Sequence, residues 1–279
     1  MNTEDIMRLA LGLSGLSEIP ADSAILNSAD NVNRVLLGID IREEDLRRAS
    51  AEAYDLVIAH HPLGGTGFIS VLDRHEELML RAGVARDIAK ETCRRHKATY
   101  EERAASRPPD EKEQRLRALA EELGLGLMNI HTPCDEIGRR RLQQVVDNLA
   151  EPTTVLHLME TYSAIPEMVE SDEEVELVCG RPQSALEKTV VIHGAGTNGG
   201  YPVSNTLFES GVGTVVYIHL HGQQQKARLA QEGKGNLILT GHYASDSLGI
   251  NPVIDALEDA GIEVDCCNNM IRIKRDRTE

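Results

Sequence analysis

At 279 residues the chain is long enough for one large domain or two modest ones, and its 41% hydrophobic content suits a globular protein. With no Trp and two Phe, the core has to rest on Leu, Val, Ile, Ala and Met. A net charge of −16 argues against non-specific binding to nucleic acid or to an anionic membrane, both of which recruit Lys and Arg. No apolar run approaches the roughly 20 residues that span a bilayer.

The five cysteines, Cys93, Cys134, Cys179, Cys266 and Cys267, show no C-x-x-C spacing. An odd number without that pattern implies no disulfide framework, and a reducing cytoplasmic location is expected. Glu4 and Asp5 stand where a secretory signal would carry basic residues, so no signal peptide is expected.

The opening, TEDIMRLALGLSGL, predicts an amphipathic helix capped by Thr3, with acidic residues in its first turn. RVLLGID (34–40) predicts a buried strand, REEDLRRASAEA (42–53) a helix and DLVIA (55–59) the next strand. That β–α–β order points to a parallel sheet with covering helices. From Asp73 to about Leu123 the pattern is helical and highly charged, and Pro108 and Pro109 break it into a long hairpin. LGLMNI (125–130) predicts a strand, IGRRRLQQVVDNLA (137–150) a helix, and EVELV (174–178) a strand inside a mixed stretch.

A second β/α series follows: KTVVIHGAG, a helix over 200–210, GTVVYIH, a helix over 223–231, NLILTGH and a helix over 245–260. IEVDC (262–266) and MIRIK (270–274), separated by Cys267, Asn268 and Asn269, suit a closing hairpin. The expected fold is α/β, two halves with mainly parallel central strands covered by helices. Residues 1–150 would form the first half, with the helical hairpin at about 73–123. Residues 151–185 would connect it to a second half at 186–279, the whole making one compact unit with a site at the strand C-terminal ends between the halves.

Seven of the ten histidines follow a predicted strand: His60 and His61, His131, His193, His219 and His221, and His242. In open α/β sheets ligands bind outside the carboxyl ends of the strands, and imidazole is the commonest metal ligand. In His60-His61-Pro62 the backbone can turn past the strand end and aim both rings into one crevice, where adjacent imidazoles suit two neighbouring ions. An ordinary surface pair is the alternative. In His131-Thr132-Pro133-Cys134-Asp135, Asp135 is either a metal ligand or the cap of the following helix, roles that do not exclude each other. In Gly241-His242-Tyr243-Ala244-Ser245-Asp246, His242 and Asp246 lie four apart on one helical face, a spacing by which both could reach a metal. The alternative is that Asp246 is only a first-turn charge favoured by the helix dipole.

Together these motifs offer a mixed nitrogen and oxygen donor set that suits Zn, Fe, Mn, Co or Ni. HGAGTNGG (193–200) is a glycine-rich turn that could cradle a phosphate at a helix N-terminus or serve as a tight turn alone. It matches the dinucleotide pattern only loosely, through Gly194, Gly196 and Gly199. No G-x-S-x-G elbow occurs.

The motifs AHHPLGG (59–65), HTPCD (131–135) and GHYASDSLG (241–249) resemble those of the NIF-three-like dinuclear metal centre hexameric family, many of whose members are described as GTP cyclohydrolase 1 type 2 homologues. The resemblance implies two divalent transition-metal ions held by His60, His61, Asp135, His242 and Asp246, with His131 as proton shuttle or neighbour of the ligands. It also implies a toroidal homohexamer and a hydrolase that acts through metal-bound hydroxide on a small nucleotide-like substrate. A non-catalytic, oligomeric metal-binding or protein-interaction scaffold is the alternative. The family's third-motif acid is usually Glu, whereas this chain has the shorter Asp246.

Overall fold

A computed structural model describes residues 1–64, 67–106, 111–194 and 198–275. Helix α1 (Thr3–Ser14) opens the chain, and its cap is Asn2, not the expected Thr3. The Asn2 side chain accepts from the Asp5 amide while the Asp5 carboxylate accepts from the Asn2 amide, so two orphan donors are satisfied reciprocally. Gly15, at φ 69°, ends the helix in the left-handed region.

Strands β1 (Ala24–Asn27) and β2 (Arg34–Gly38), helix α2 (Glu43–Ala51) and strand β3 (Leu56–Ala59) follow. Four helices come next: α3 (Gly67–Val71), α4 (Arg74–Arg81), α5 (Arg86–Ala105) and α6 (Lys112–Leu123). The middle of the chain holds β4 (Gly126–Asn129), α7 (Thr132–Asn148), α8 (Val155–Ser163), α9 (Pro166–Val169), β5 (Glu176–Cys179) and β6 (Thr189–Val191). It continues through α10 (Gly200–Glu209), β7 (Thr214–Tyr217), α11 (Gln223–Glu232), β8 (Asn236–Leu239), α12 (His242–Asp259) and β9 (Glu263–Cys267).

These elements form two compact units rather than one. The first draws on residues 1–68, 108–138 and 246–279, the second on 69–107 and 139–245. The division differs from the expected 1–150 and 186–279 because β9 pairs in parallel with β2, from Arg34 beside Glu263 to Gly38 beside Cys267. The expected hairpin at 73–123 is also divided. Helices α4 and α5 pack with α10 in the second unit, whereas α6 packs on α2, β1 and β4 in the first. The apolar stripes explain this: Leu116, Leu119 and Ala120 of α6 enter one core, and Met79, Ala89 and Cys93 of α4 and α5 enter the other. The Pro108–Pro109 break lies outside the described residues.

In the first unit the sheet runs β1-β4-β3-β2-β9, all parallel except β1, which pairs antiparallel with β4. Leu36 lies beside Val57 and Val57 beside Leu127, all on the face covered by α2 and α6. Side chains alternate along a strand, so Leu37 and Ile58 take the opposite face with Ile250 and Val253 of α12. Each such aliphatic side chain contributes about 1.5–3 kcal/mol by leaving water. The parallel strands bring their C-terminal ends to one edge of the sheet, and antiparallel β1 begins at that edge. The expected final strand at 270–274 does not form. The Ile271 amide donates to Ser247 Oγ and the Ile273 amide to Asn251 Oδ1, so α12 side chains take the groups a strand would have offered.

In the second unit the order is β5-β8-β7-β6, with β6, β7 and β8 parallel and β5 antiparallel to β8. Val215, Tyr217, Leu237 and Leu239 share a core with α4, α5, α10 and α11. Edge strand β6 is capped by Gln143 of α7, which accepts from the Val191 amide at 3.0 Å and donates to the Thr189 carbonyl at 3.4 Å.

Candidate metal centre

His60 and His61 leave the end of β3 still held by backbone pairing. The His60 amide donates to Gly38 O at 2.9 Å and the His61 amide to Ile39 O at 3.0 Å. His131 leaves β4 in the neighbouring position, just after the Ile130 amide bonds Ala59 O at 3.0 Å. Helix α7 starts at Thr132, five residues earlier than expected, so Asp135 lies in its first turn rather than capping a helix at 137. Asp246 sits on α12, which starts at His242 rather than 245. His60, His131, Asp135 and Asp246 are all buried, and His61 is half-buried. The three rings cluster, His60 with centroids 5.1 Å from His61 and 4.9 Å from His131.

Each ring is oriented by its Nδ1. That of His60 lies 3.1 Å from the Ile130 carbonyl, that of His61 2.9 Å from Asp40 Oδ1, and that of His131 2.7 Å from Asp22 Oδ2. Carbonyl and ionised carboxylate oxygens only accept, so each neutral ring places its proton on Nδ1 and leaves the Nε2 lone pair available. All three Nε2 atoms face carboxylates. His60 Nε2 is 3.3 Å from Asp135 Oδ1 and 3.6 Å from Asp246 Oδ1; His61 Nε2 is 3.4 Å from Asp246 Oδ2; His131 Nε2 is 3.6 Å from Asp135 Oδ2.

These separations exceed the roughly 2.7–2.9 Å of a charge-assisted hydrogen bond. They match the edge of a coordination polyhedron, about 3.4 Å between ligands each about 2.1 Å from a tetrahedral ion. His60, His61 and His131 each offer a ring nitrogen within 4.8 Å of the others, and so do His60, Asp135 and Asp246 with one nitrogen and two oxygens. The His/Asp clusters could therefore hold metal ions.

The electrostatics agree. Burial alone disfavours the imidazolium of His60, yet the charge of Asp246 and its contacts with Asp135, Asp246 and Cys134 outweigh this and hold its pKa well above the ordinary histidine value. His61 is shifted the same way: burial lowers it and His60 opposes it, but Asp246 and Asp40 prevail. The field at the Nε2 positions favours positive charge, which a proton or a divalent cation can supply.

Asp40 and Asp22 were not among the sequence-derived candidates. Asp40 ends the predicted strand RVLLGID, so its place at the sheet edge was available from the pattern. Asp22 precedes β1, and only the antiparallel pairing of β1 with β4 (Ala24 beside Asn129) carries it to His131.

His242 lies one turn before Asp246 in the sequence of α12. In the second unit its ring packs 4.4 Å from His219 and stacks on Tyr243 at 5.3 Å. His219 and His221, after β7, are 4.2 Å apart, and His193 follows β6 as a buried residue. Of the glycine-rich turn, residues 195–197, including Gly196, lie outside the described residues. Gly199 and Gly200 have φ of 85° and 57° and lead into α10.

The chain is similar over 97% of its length, and over 99% of the other chain, to a crystal structure of a NIF3 superfamily protein from Sphaerobacter thermophilus, at 37% identity and a TM-score of 0.88. It belongs to the NIF3 superfamily. The Duf34/NIF3 (NGG1p interacting factor 3) family model matches residues 24–93, which run from β1 past the two adjacent histidines. Two more distant structures share the NIF3 fold. Reduced HcgD from Methanocaldococcus jannaschii is 13% identical over 95% of this chain and 97% of that one, with a TM-score of 0.58. A Bacillus cereus protein related to NIF3 is 11% identical over 96% of both chains, with a TM-score of 0.52. No curated protein matches the chain. Among the described residues, no helix is long and apolar enough to cross a membrane.

Proposed function

We propose that this chain is a metal-dependent hydrolase with a dinuclear centre that acts on a small nucleotide-like substrate. One observation carries the metal part of the reading. His60, His61 and His131 all give Nδ1 to a fixed acceptor and turn Nε2 toward the buried carboxylates of Asp135 and Asp246. His242 joins the proposed ligands through its motif spacing to Asp246. Nitrogen donors beside carboxylates suit Zn, Fe, Mn, Co or Ni better than Mg or Ca, which take oxygen.

Such ions supply Lewis acidity that activates water and polarises the bond to be cleaved. The chain's own residues do the rest: Asp135 and Asp246 balance the cationic charge, and Ile130 O, Asp40 and Asp22 hold the rings in one tautomer. Leu37, Ile58, Ile130, Ile250 and Val253 wall the inner side of His60 with apolar surface. That surface lowers the local dielectric and strengthens each charge interaction. The nucleotide-like substrate is supported by the family resemblance and by the glycine-rich sequence of residues 193–200. The same reading takes the working form to be a homohexamer, which sedimentation analysis tests.

Elemental analysis of freshly purified protein should find up to two transition-metal ions per chain. The double variant H60A/H61A should lose them while keeping its far-UV circular dichroism. Full metal content in that variant would overturn the assignment. GTP turnover is to be assayed with Mn, Zn, Co, Fe and Ni. A protein that binds metal and hydrolyses neither purine nucleotides nor phosphoesters would fit a non-catalytic metal-binding scaffold instead.

A further inference from the structure

Asp22 stands apart from the other groups behind the imidazoles. Its side chain is fully buried, whereas that of Asp40 behind His61 is 38% exposed. Its Oδ2 accepts from His131 Nδ1 at 2.7 Å and from Thr132 Oγ1 at 2.8 Å. Its carbonyl accepts from Asn129 Nδ2 at 2.6 Å, and the next residue, Ser23, accepts the His131 amide on its Oγ at 3.0 Å. The end of β4, the first residue of α7 and the entry to β1 are thereby locked around one carboxylate.

Burying a carboxylate is costly unless it is well bonded. Here the bonds converge on the ring that faces Asp135. An ionised carboxylate has no proton to give, so the His131 nitrogen facing it must be the donor. His131 is then held as the Nδ1–H tautomer with the Nε2 lone pair fixed toward Asp135. A ring locked in that way is poorly suited to shuttle protons and well suited to hold a cation.

We propose that Asp22 is the positioning residue of the centre: it fixes the tautomer and angle of His131, strengthens Nε2 as a donor through its charge, and so makes His131 a metal ligand. This rests on the metal reading above. A carboxylate behind a ligating histidine orients the ring and raises its basicity, and loss of such a group typically costs about 10–100-fold in metal affinity.

The test uses the full chain and Zn²⁺ alone, with two variants. Asp22→Ala removes the acceptor, and near-isosteric Asp22→Asn keeps the shape while removing the charge. Zinc affinity is measured by chelator competition, and the tautomer of His131 is read in metal-free protein from ¹⁵N–¹H long-range correlations. Wild type is expected to show His131 as Nδ1–H. Asp22→Ala is expected to lose this preference and about 10–100-fold in affinity for one ion, and Asp22→Asn about tenfold.

A purely structural role would lower the melting temperature while leaving tautomer and affinity unchanged. If Asp22→Ala does not fold, Asp22→Asn carries the test. Zinc affinity within twofold of wild type in either folded variant overturns the proposal, as does a wild-type His131 protonated on Nε2. Wild-type protein that binds no zinc would overturn the metal reading, whereas the tautomer measurement still reports on Asp22 separately.

Discussion

Asp246 faces His60 across 3.6 Å, Oδ1 to Nε2, while its second oxygen lies 3.4 Å from Nε2 of His61. The short Asp side chain thus already reaches both rings. Glutamate would add one methylene and carry the carboxylate about 1.5 Å further. Asp246→Glu is therefore expected to overshoot and to weaken metal binding on the order of tenfold. Chelator competition on the purified variant checks this; equal or tighter binding would show that Asp246 falls short of a bridging position.

Gly249, one turn beyond Asp246, allows the close approach that places Asp246 beside Asp135. A Cβ at Gly249 would stand 2.1 Å from the Cys134 carbonyl oxygen and 3.0 Å from the Gly138 nitrogen. Both atoms belong to the α7 backbone and cannot move aside as a side chain would. Gly249→Ala should force α12 from α7, costing about 1–3 kcal/mol as an overpacked contact. Because Asp135 and Asp246 ride on those two helices, zinc affinity should fall together with the melting temperature. A variant of native stability and affinity would show that the helices tolerate the separation.

The strand ends were legible because the code there is short-range. An apolar run followed by a polar residue marks where a buried strand leaves the sheet, and it placed His60, His61 and His131 on one edge. The starts of α7 and α12 were less legible. Pro133 and Gly241 looked like loop residues, yet Pro is compatible with a first helical turn, and both helices begin beside the site motif. Asp22 and the pairing of β9 with β2 were not legible at all. Each depends on which distant strand is a neighbour, and the hydrophobic pattern of a strand carries no such address.

His60 and His61 give the centre two opposite responses to pH. Their pKa values are raised in the folded protein above the unfolded value of about 6.5. Metal-free protein therefore gains stability from them that is complete below about pH 6.5 and lost as pH rises through the folded values. Metal competes with those same protons, so affinity should increase over that range. Calorimetry from pH 6 to pH 9 should show the melting temperature of chelator-treated protein falling relative to that of zinc-loaded protein. Parallel curves would contradict the assignment of these two rings to the metal.

His75 should respond to acid in the contrary sense. It lies on α4 in the second unit, 1% exposed, with neither ring nitrogen in a well-formed hydrogen bond. Burial, aided by the nearby His96 and Arg74 and only partly opposed by the Gly194 backbone, pushes its pKa down to about 3, and burial takes His96 to about 4. The unfolded chain takes up these protons near pH 6.5 while the folded chain refuses them. Stability is thus lost as pH falls below about 6.5, by up to roughly 1.4 kcal/mol per pH unit for each group. His75→Leu fills similar space without a titrating group and gives up only the weak interaction of the ring with the Gly194 backbone. Followed by far-UV circular dichroism, because the chain has no Trp, the variant should unfold at a lower pH than wild type while matching or exceeding its stability at pH 7. An unchanged acid midpoint would mean that His75 accepts its proton without unfolding the unit around it.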